Sequence, residues 1–438
     1  MIGCLLLTAS LGRAQEVSER TLTLDAAIEM ARARNRELAQ SLLDIRRQKE
    51  ITSASRSSLY PSFDVHILGS QLLTPLDFTI SAGQLGSYPA TGPIPGSDIK
   101  LHTPSRPIGI ISVTAAQPLT QLPRIRFSVK EQRLNETLSQ ATYAQQDQEL
   151  VSDIRQAYYA ILQSQSQVES QQALLRSLEE LVKLIDKRLT ERAALKADSL
   201  QAKAGVAKAK YQLLLTEDSL RDRKESLNRL LGRDLLTEFT VKPVASELPE
   251  EGDLQAARTK ALANRPEIQT AKAKQEQAHL ETKIEKTRYL PDISIQANYF
   301  SPAGINFLPQ NVGAVGALLT WQPWDWGEKR HTLAAKRIAE HQASLSVDDT
   351  QEGILLDVDS KFRKLHEARI QLEVAAAARD AESENLRNKT NAYDQHALLL
   401  SDLLQEQANL ANNEDQYRQA LLAFWTARAD FEKAMGEE

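Results

Sequence analysis

Two periodicities run through this chain and dictate different elements. In 61–68, Phe63, Val65 and Ile67 alternate with Ser62, Asp64 and His66. In 292–299, Ile293, Ile295, Ala297 and Tyr299 alternate with Asp292, Ser294, Gln296 and Asn298. A period of two makes one face of a strand apolar and the other polar. Partner strands are expected at 108–119 and 312–321, where the alternation is less clean. The second periodicity is seven. Ile154, Ile161, Val168, Leu175, Val182 and Leu189 form one apolar row, and Val206, Leu213, Leu220 and Leu227 form another. Val358, Leu365, Leu372, Arg379, Leu386 and Tyr393 form a third, with Arg379 as its charged exception. Leu403, Leu410, Tyr417, Phe424 and Phe431 form a fourth. Rows of this kind pack helices into left-handed supercoils. The first row predicts a helix over about 125–189, which at ~1.5 Å per residue is ~95 Å long. A second row on that helix (Leu150, Ala157, Ser164, Gln171, Leu178, Ile185) is partly polar, so the apolar seam is narrow and much of the helix meets water. A hollow assembly with wet walls needs that distribution, and an ordinary antiparallel bundle fits the period equally well.

The chain is internally duplicated. Residues 24–65 lie over 254–295 at an offset of 230, matching Ala26-Ala27 with Ala256-Ala257 and Tyr60-Pro61 with Leu290-Pro291. Residues 154–232 lie over 358–436 at an offset of 204, matching Asp198 with Asp402 and Leu231-Gly232 with Met435-Gly436. The lost residues fall in 69–107, whose Gly and Pro density reads as a long loop. Residues 15–232 are therefore expected to form a first repeat (helix, strand pair with the loop 69–107, long helical hairpin). Residues 233–252 would be a linker, and 253–438 a second repeat. Residues 1–14 read as a signal peptide, with small residues at Gly12 and Ala14 before a cleavage site. Ile2-Gly3-Cys4 precedes most of the apolar run, which argues against a lipid-attachment signal.

Composition narrows the classes. Of 438 residues, 25% are charged and 42% apolar, and the net charge of -5 offers no basic surface for nucleic acid. Cys4 is the one cysteine, so the processed chain would hold no disulfide or cysteine-bound metal. Seven histidines are scattered without ligand spacing, and no nucleophile elbow or phosphate loop is present. We expect no enzyme, cofactor or metal. No stretch reaches the ~18–20 apolar residues of a membrane-spanning helix. A membrane crossing would have to be made by strands, and four strands cannot close a barrel alone, so several chains would pool theirs. A half-buried soluble sheet also fits the alternation. Trp321, Trp324 and Trp326 follow the last strand; indoles favour the membrane interface, and they equally suit a packed strand-to-helix turn.

Against that background the chain resembles the TolC family of outer membrane factors. The resemblance rests on the duplicated order, Ala261–Ile268 (ALANRPEI), Leu290–Ile293 (LPDI), Gln322–Gly327 (QPWDWG) and Asp402–Gln407 (DLLQEQ), and covers about 22–436. It implies a mainly α protein with membrane β: long coiled-coil helices forming an α-barrel, and four strands per subunit in a trimeric twelve-stranded β-barrel. It implies an outer-membrane location with a helical tunnel in the periplasm, and a passive exit duct for efflux or type I secretion. Implied partners are two further copies, the lipid bilayer, a periplasmic adaptor and an inner-membrane pump. Asp402 matches the family's acidic position at the constricted periplasmic mouth, Asp198 is its first-repeat counterpart, and Tyr393 matches an aromatic that reaches such an Asp. The sequence departs from the family at Arg192 and His396, where Gly is usual, at Leu195 and Leu399, where Ser or Thr is usual, and at Gln405, where some members are acidic. An Asp in the first turn of a helix is also favoured by the helix dipole alone. The alternative is a soluble periplasmic coiled-coil adaptor or spacer. An adaptor would carry one helical hairpin, and this sequence predicts two.

Overall fold

The computed structural model describes residues 21–191, 195–244, 249, 252–305, 308–395, 397–398 and 400–437. The expected signal peptide, 1–14, lies outside them. The elements in chain order are β1 (Thr21–Leu22), α1 (Leu24–Arg34), α2 (Arg36–Ser57), β2 (Ser62–Gln71), β3 (Leu76–Ile80), β4 (Ser87–Tyr88), β5 (Gly92–Pro93), β6 (Ile99–Thr103) and β7 (Pro107–Pro118). There follow α3 (Leu122–Thr190), α4 (Lys196–Leu230), β8 (Thr240–Val241), α5 (Leu254–Asn264), α6 (Pro266–Thr287), β9 (Asp292–Ala303), β10 (Val312–Thr320), α7 (Glu328–Asp394) and α8 (Leu400–Ala434). The order helix, helix, strand, strand, very long helix, long helix thus occurs twice.

Where the sequence predicts one helix before each strand pair, the structure has two, and the cause is local. Asn35 is extended, and its side-chain oxygen accepts from the N–H groups of Glu37 and Leu38, capping α2 as α1 ends. At the matching place Pro266 opens α6, and Arg265 before it is extended. The entrances are capped alike: Thr23 accepts from Ala26 N–H, and Asp253 from Gln255 and Ala256 N–H.

The chain divides into two compact units. One comprises 1–46, 137–272 and 345–438; the other comprises 47–136 and 273–344. The first contains the apolar cores. One core gathers Ile154, Tyr158, Ile161, Leu227 and Leu231 around Ala27 and Ala31. Its twin gathers Ile354, Val358, Leu365, Phe424 and Phe431 around Ala257 and Ala261. Members of all four heptad rows are therefore buried, and alanines on α1 and α5 let the short helices approach closely. The Tyr158 hydroxyl is buried and donates to the carbonyls of Leu22 (3.0 Å) and Lys242 (2.7 Å), beside the parallel pair β1–β8. Part of the expected linker 233–252 is thus structured, with Phe239 and Val241 in the first core. Bidentate pairs, Arg32 on Asp147 and Arg258 on Asp359, fasten α1 to α3 and α5 to α7.

The second unit contains an antiparallel sheet in the order β10-β9-β7-β2. The expected long loop 69–107 leaves this sheet, and it is not irregular. β3 pairs with β6 from Leu76↔Thr103 to Ile80↔Ile99, and β4 pairs with β5. Among its helical segments, Gln48 bonds to Gln132, Gln277 to Asn135, Lys336 to Glu281 and His279 to Glu340.

Candidate duct wall and gate

Directly paired residues of an antiparallel sheet share a face, so the register separates two walls. Phe63, Val65 and Ile67 of β2 face Ala115, Val113 and Ile111 of β7. These continue to Ala297, Tyr299 and Ser301 of β9. Ala297 and Tyr299 then meet Val315 and Gly313 of β10. This wall is apolar save for Gln71, Gln117 and Ser301, and it is uncovered: Phe63 is 73%, Ile67 76% and Val315 79% exposed. The opposite wall carries Asp64, His66, Ser112, Thr114, Asn298, Gln296 and Ser294 across the same strands. Thr114 donates to Asn298 across β7 and β9 at 3.1 Å. An exposed apolar sheet of this extent requires an apolar covering. The outer edges of β2 and β10 have no strand partner among the described residues.

The three indoles follow β10. Trp321, Trp324 and Trp326 are all exposed, and Trp324 meets Trp326 edge to face at 5.7 Å. The turn they occupy is built by Asp325, whose carboxylate accepts from Gly327 and Lys329 N–H and caps α7. Trp326 has positive φ (55°) there, and Gly327 follows at 91°. The turn packs none of the three rings away.

Of the gate candidates, Asp402 sits exposed in the first turn of α8. Asp198 lies near the start of α4 and Tyr393 in the last turn of α7; both side chains fall outside the described residues. Near Asp402 the structure shows a feature that periodicity did not reveal. Lys389 of α7 donates to the buried Glu406 of α8 at 2.7 Å. The Lys389 bond, followed by a hydrogen bond with Glu382, holds the Glu406 carboxyl below the usual carboxylate range. That contribution is full at neutral pH and is lost as acid titrates Glu406 through its lowered value. At the offset of 204, these three positions are Leu178, Ile185 and Ala202 in the first hairpin. The Glu382–Lys389–Glu406 layer thus has no charged counterpart at the matching positions of the first hairpin, whose helices are bridged elsewhere by Lys203–Asp186 and Lys210–Glu179. The heptad exception is also accounted for: Arg379 pairs with Asp380 and lies over the Tyr417 ring at 4.2 Å. The duplication offset, applied to polar positions as well as apolar ones, is the signal that would have exposed this layer.

No helix among the described residues is long and apolar enough to cross a membrane, and no group of three potential metal ligands occurs among them.

The profile of the family described as "Outer membrane efflux protein" matches residues 27–233. The alkaline protease secretion protein AprF of Pseudomonas aeruginosa is 27% identical over 229 residues, which are 50% of this chain. That match spans about half of the relative's length, 46%. Among solved structures, the CmeC outer membrane channel of Campylobacter jejuni superposes with a TM-score of 0.77 at 15% identity, covering 94% of this chain and 85% of its own. The outer membrane protein VceC of Vibrio cholerae gives 0.72 at 17% identity, covering 94% and 96%. The MtrE outer membrane channel of Neisseria gonorrhoeae gives 0.71 at 17% identity, covering 94% and 89%. These likenesses establish the fold of an outer-membrane efflux channel over nearly the whole chain. The family match thus covers residues 27–233, and the likeness in fold extends over nearly the whole chain.

Proposed function

We propose that three copies of this chain form a passive exit duct in the outer membrane, with a helical tunnel in the periplasm. The observation that carries this reading is the four-stranded sheet with an exposed apolar wall, a polar wall and two open edges. Open edges are not tolerated in lipid, and three such sheets joined edge to edge would close a barrel. The apolar wall would meet lipid and the polar wall line the duct, with Trp321, Trp324 and Trp326 at the membrane interface. The paired hairpins, α3–α4 and α7–α8, would form the tunnel and dock a periplasmic adaptor fed by an inner-membrane pump. Two equivalent hairpins also weigh against the chain being an adaptor itself. The family and fold are those of channels rather than enzymes. As cargo, a secreted protein is supported by the relative named for alkaline protease secretion.

The gate would be a ring of Asp402 carboxylates at the tunnel mouth, with Asp198 and Tyr393 beside it. Three like charges at a narrow axis attract cations and resist closer approach. Asp402→Ala is expected to raise single-channel conductance in planar bilayers and weaken block by multivalent cations. Channels with parental conductance and parental block would remove Asp402 from the gate. Failure of the purified protein to form channels would remove the duct.

A further inference from the structure

The sheet register fixes every ionisable group on the polar wall. β2 contributes Asp64 and His66, both exposed. The facing positions of β7 are Ile108, Ile110, Ser112, Thr114, Ala116 and Pro118, none of which titrates. β9 contributes Asp292, which pairs with Arg124 at 3.1 Å, beside Ser294, Gln296, Asn298, Phe300 and Pro302. β10 contributes Val312, Ala314, Gly316, Leu318 and Thr320, again without charge. The register sets Asp64 opposite Thr114 and His66 opposite Ser112. Asp64 and His66 are two residues apart on one strand, so their Cα atoms lie ~7 Å apart. Beyond the sheet, the ion pair His102–Asp77 lies on the β3–β6 ladder and balances itself when His102 is protonated.

From this inventory we infer that Asp64 and His66 set the ionic selectivity of the barrel lumen, and that His66 makes it depend on pH. The inference rests on the trimeric barrel proposed above, which repeats each residue three times around the lumen. With imidazoles neutral, the Asp64 carboxylates leave the wall negative and it favours cations. With imidazoles protonated, each His66 offsets the Asp64 beside it, and the preference fades. Histidine is the side chain whose charge ordinarily changes between about pH 5 and 8. His66 is the one histidine on these four strands. The cargo class that would sense this wall is the cationic one: a positively charged solute or protein segment meets attraction at neutral pH and loses it in acid.

The test is reversal potential in planar bilayers under a potassium chloride gradient, measured on the trimer from pH 8 to pH 5. An Asp402→Asn background removes the tunnel-mouth carboxylate from the reading. The parent is expected to lose cation preference by about threefold, an order-of-magnitude figure for cancelling one lumenal charge per chain. His66→Gln is expected to retain its cation preference at pH 5. Asp64→Asn is expected to show low cation preference already at pH 8. Channels in which His66→Gln tracks the parent at every pH would overturn the inference while leaving the duct intact. Absence of channels in the parent protein would instead overturn the duct.

Discussion

Val315→Arg is expected to keep this protein out of the outer membrane. Val315 is 79% exposed and lies mid-strand in β10 on the apolar wall, in register with Ala297. An arginine on the lipid face near the bilayer midplane costs about 2–4 kcal/mol, and a trimer would bear that cost three times. The neighbouring Ala314 faces the polar wall with Asn298. Ala314→Arg meets water there and is expected to reach the membrane with a trimer yield near the parent's. Yield in the outer-membrane fraction, followed by unheated gel electrophoresis, separates the two variants. A membrane-borne trimer of Val315→Arg, with loss of Ala314→Arg, would mean that the walls are assigned inside out.

Gly232→Ala is expected to be among the most destabilising single-methyl additions in the helical unit. Gly232 ends α4 at φ +67°, and the following N–H, of Arg233, donates back to Asn228. This is a helix stop that a left-handed residue makes possible. A Cβ there would lie 2.7 Å from the Arg34 carbonyl carbon and closer still to its oxygen. Arg34 ends α1, so the added methyl would push the short helix off the core. Backbone strain and the forced displacement together are expected to cost about 2–4 kcal/mol. Gly205 is the control: it is inside α4 with open space around its Cα. Gly205→Ala should gain roughly 0.5–1 kcal/mol in helix propensity. Thermal unfolding of the two variants in one detergent measures the contrast. Equal melting temperatures would show that the α1–α4 contact does not limit stability. Gly436, its duplicate at φ +73°, has the same relation to Asn264, 2.9 Å from a built Cβ.

The strands and hairpins were legible in the sequence because each has one dominant period. The strands expected at 61–68 and 292–299 appear as Ser62–Gln71 and Asp292–Ala303, and the heptad residues Ile154, Ile161, Val358, Leu365 and Leu372 are buried. The β3–β6 ladder was missed although its alternation is present: Leu76, Phe78 and Ile80 against Asp77 and Thr79. The surrounding Gly and Pro residues outweighed five alternating positions. Phe239 and Val241 were likewise read as linker, because their burial depends on Tyr158 and β1, which are distant in sequence. The charged layer Glu382–Lys389–Glu406 was hidden for another reason. A heptad reading scores apolar seams, and a salt bridge packed into a seam reads as solvated surface. Lys389 keeps its head partly in water while Glu406 is buried, so the layer combines a solvated and a buried end. The gate proposed at Asp402 rests on the family resemblance alone, since an Asp in the first turn of a helix is favoured by the helix dipole in any case.

The most direct measurement is subcellular fractionation of the expressed protein, followed by native mass determination in mild detergent. The account predicts an outer-membrane protein with the mass of three chains. A soluble periplasmic monomer would contradict it, because the exposed wall of Phe63, Val65, Ile67 and Val315 would then need a covering other than lipid.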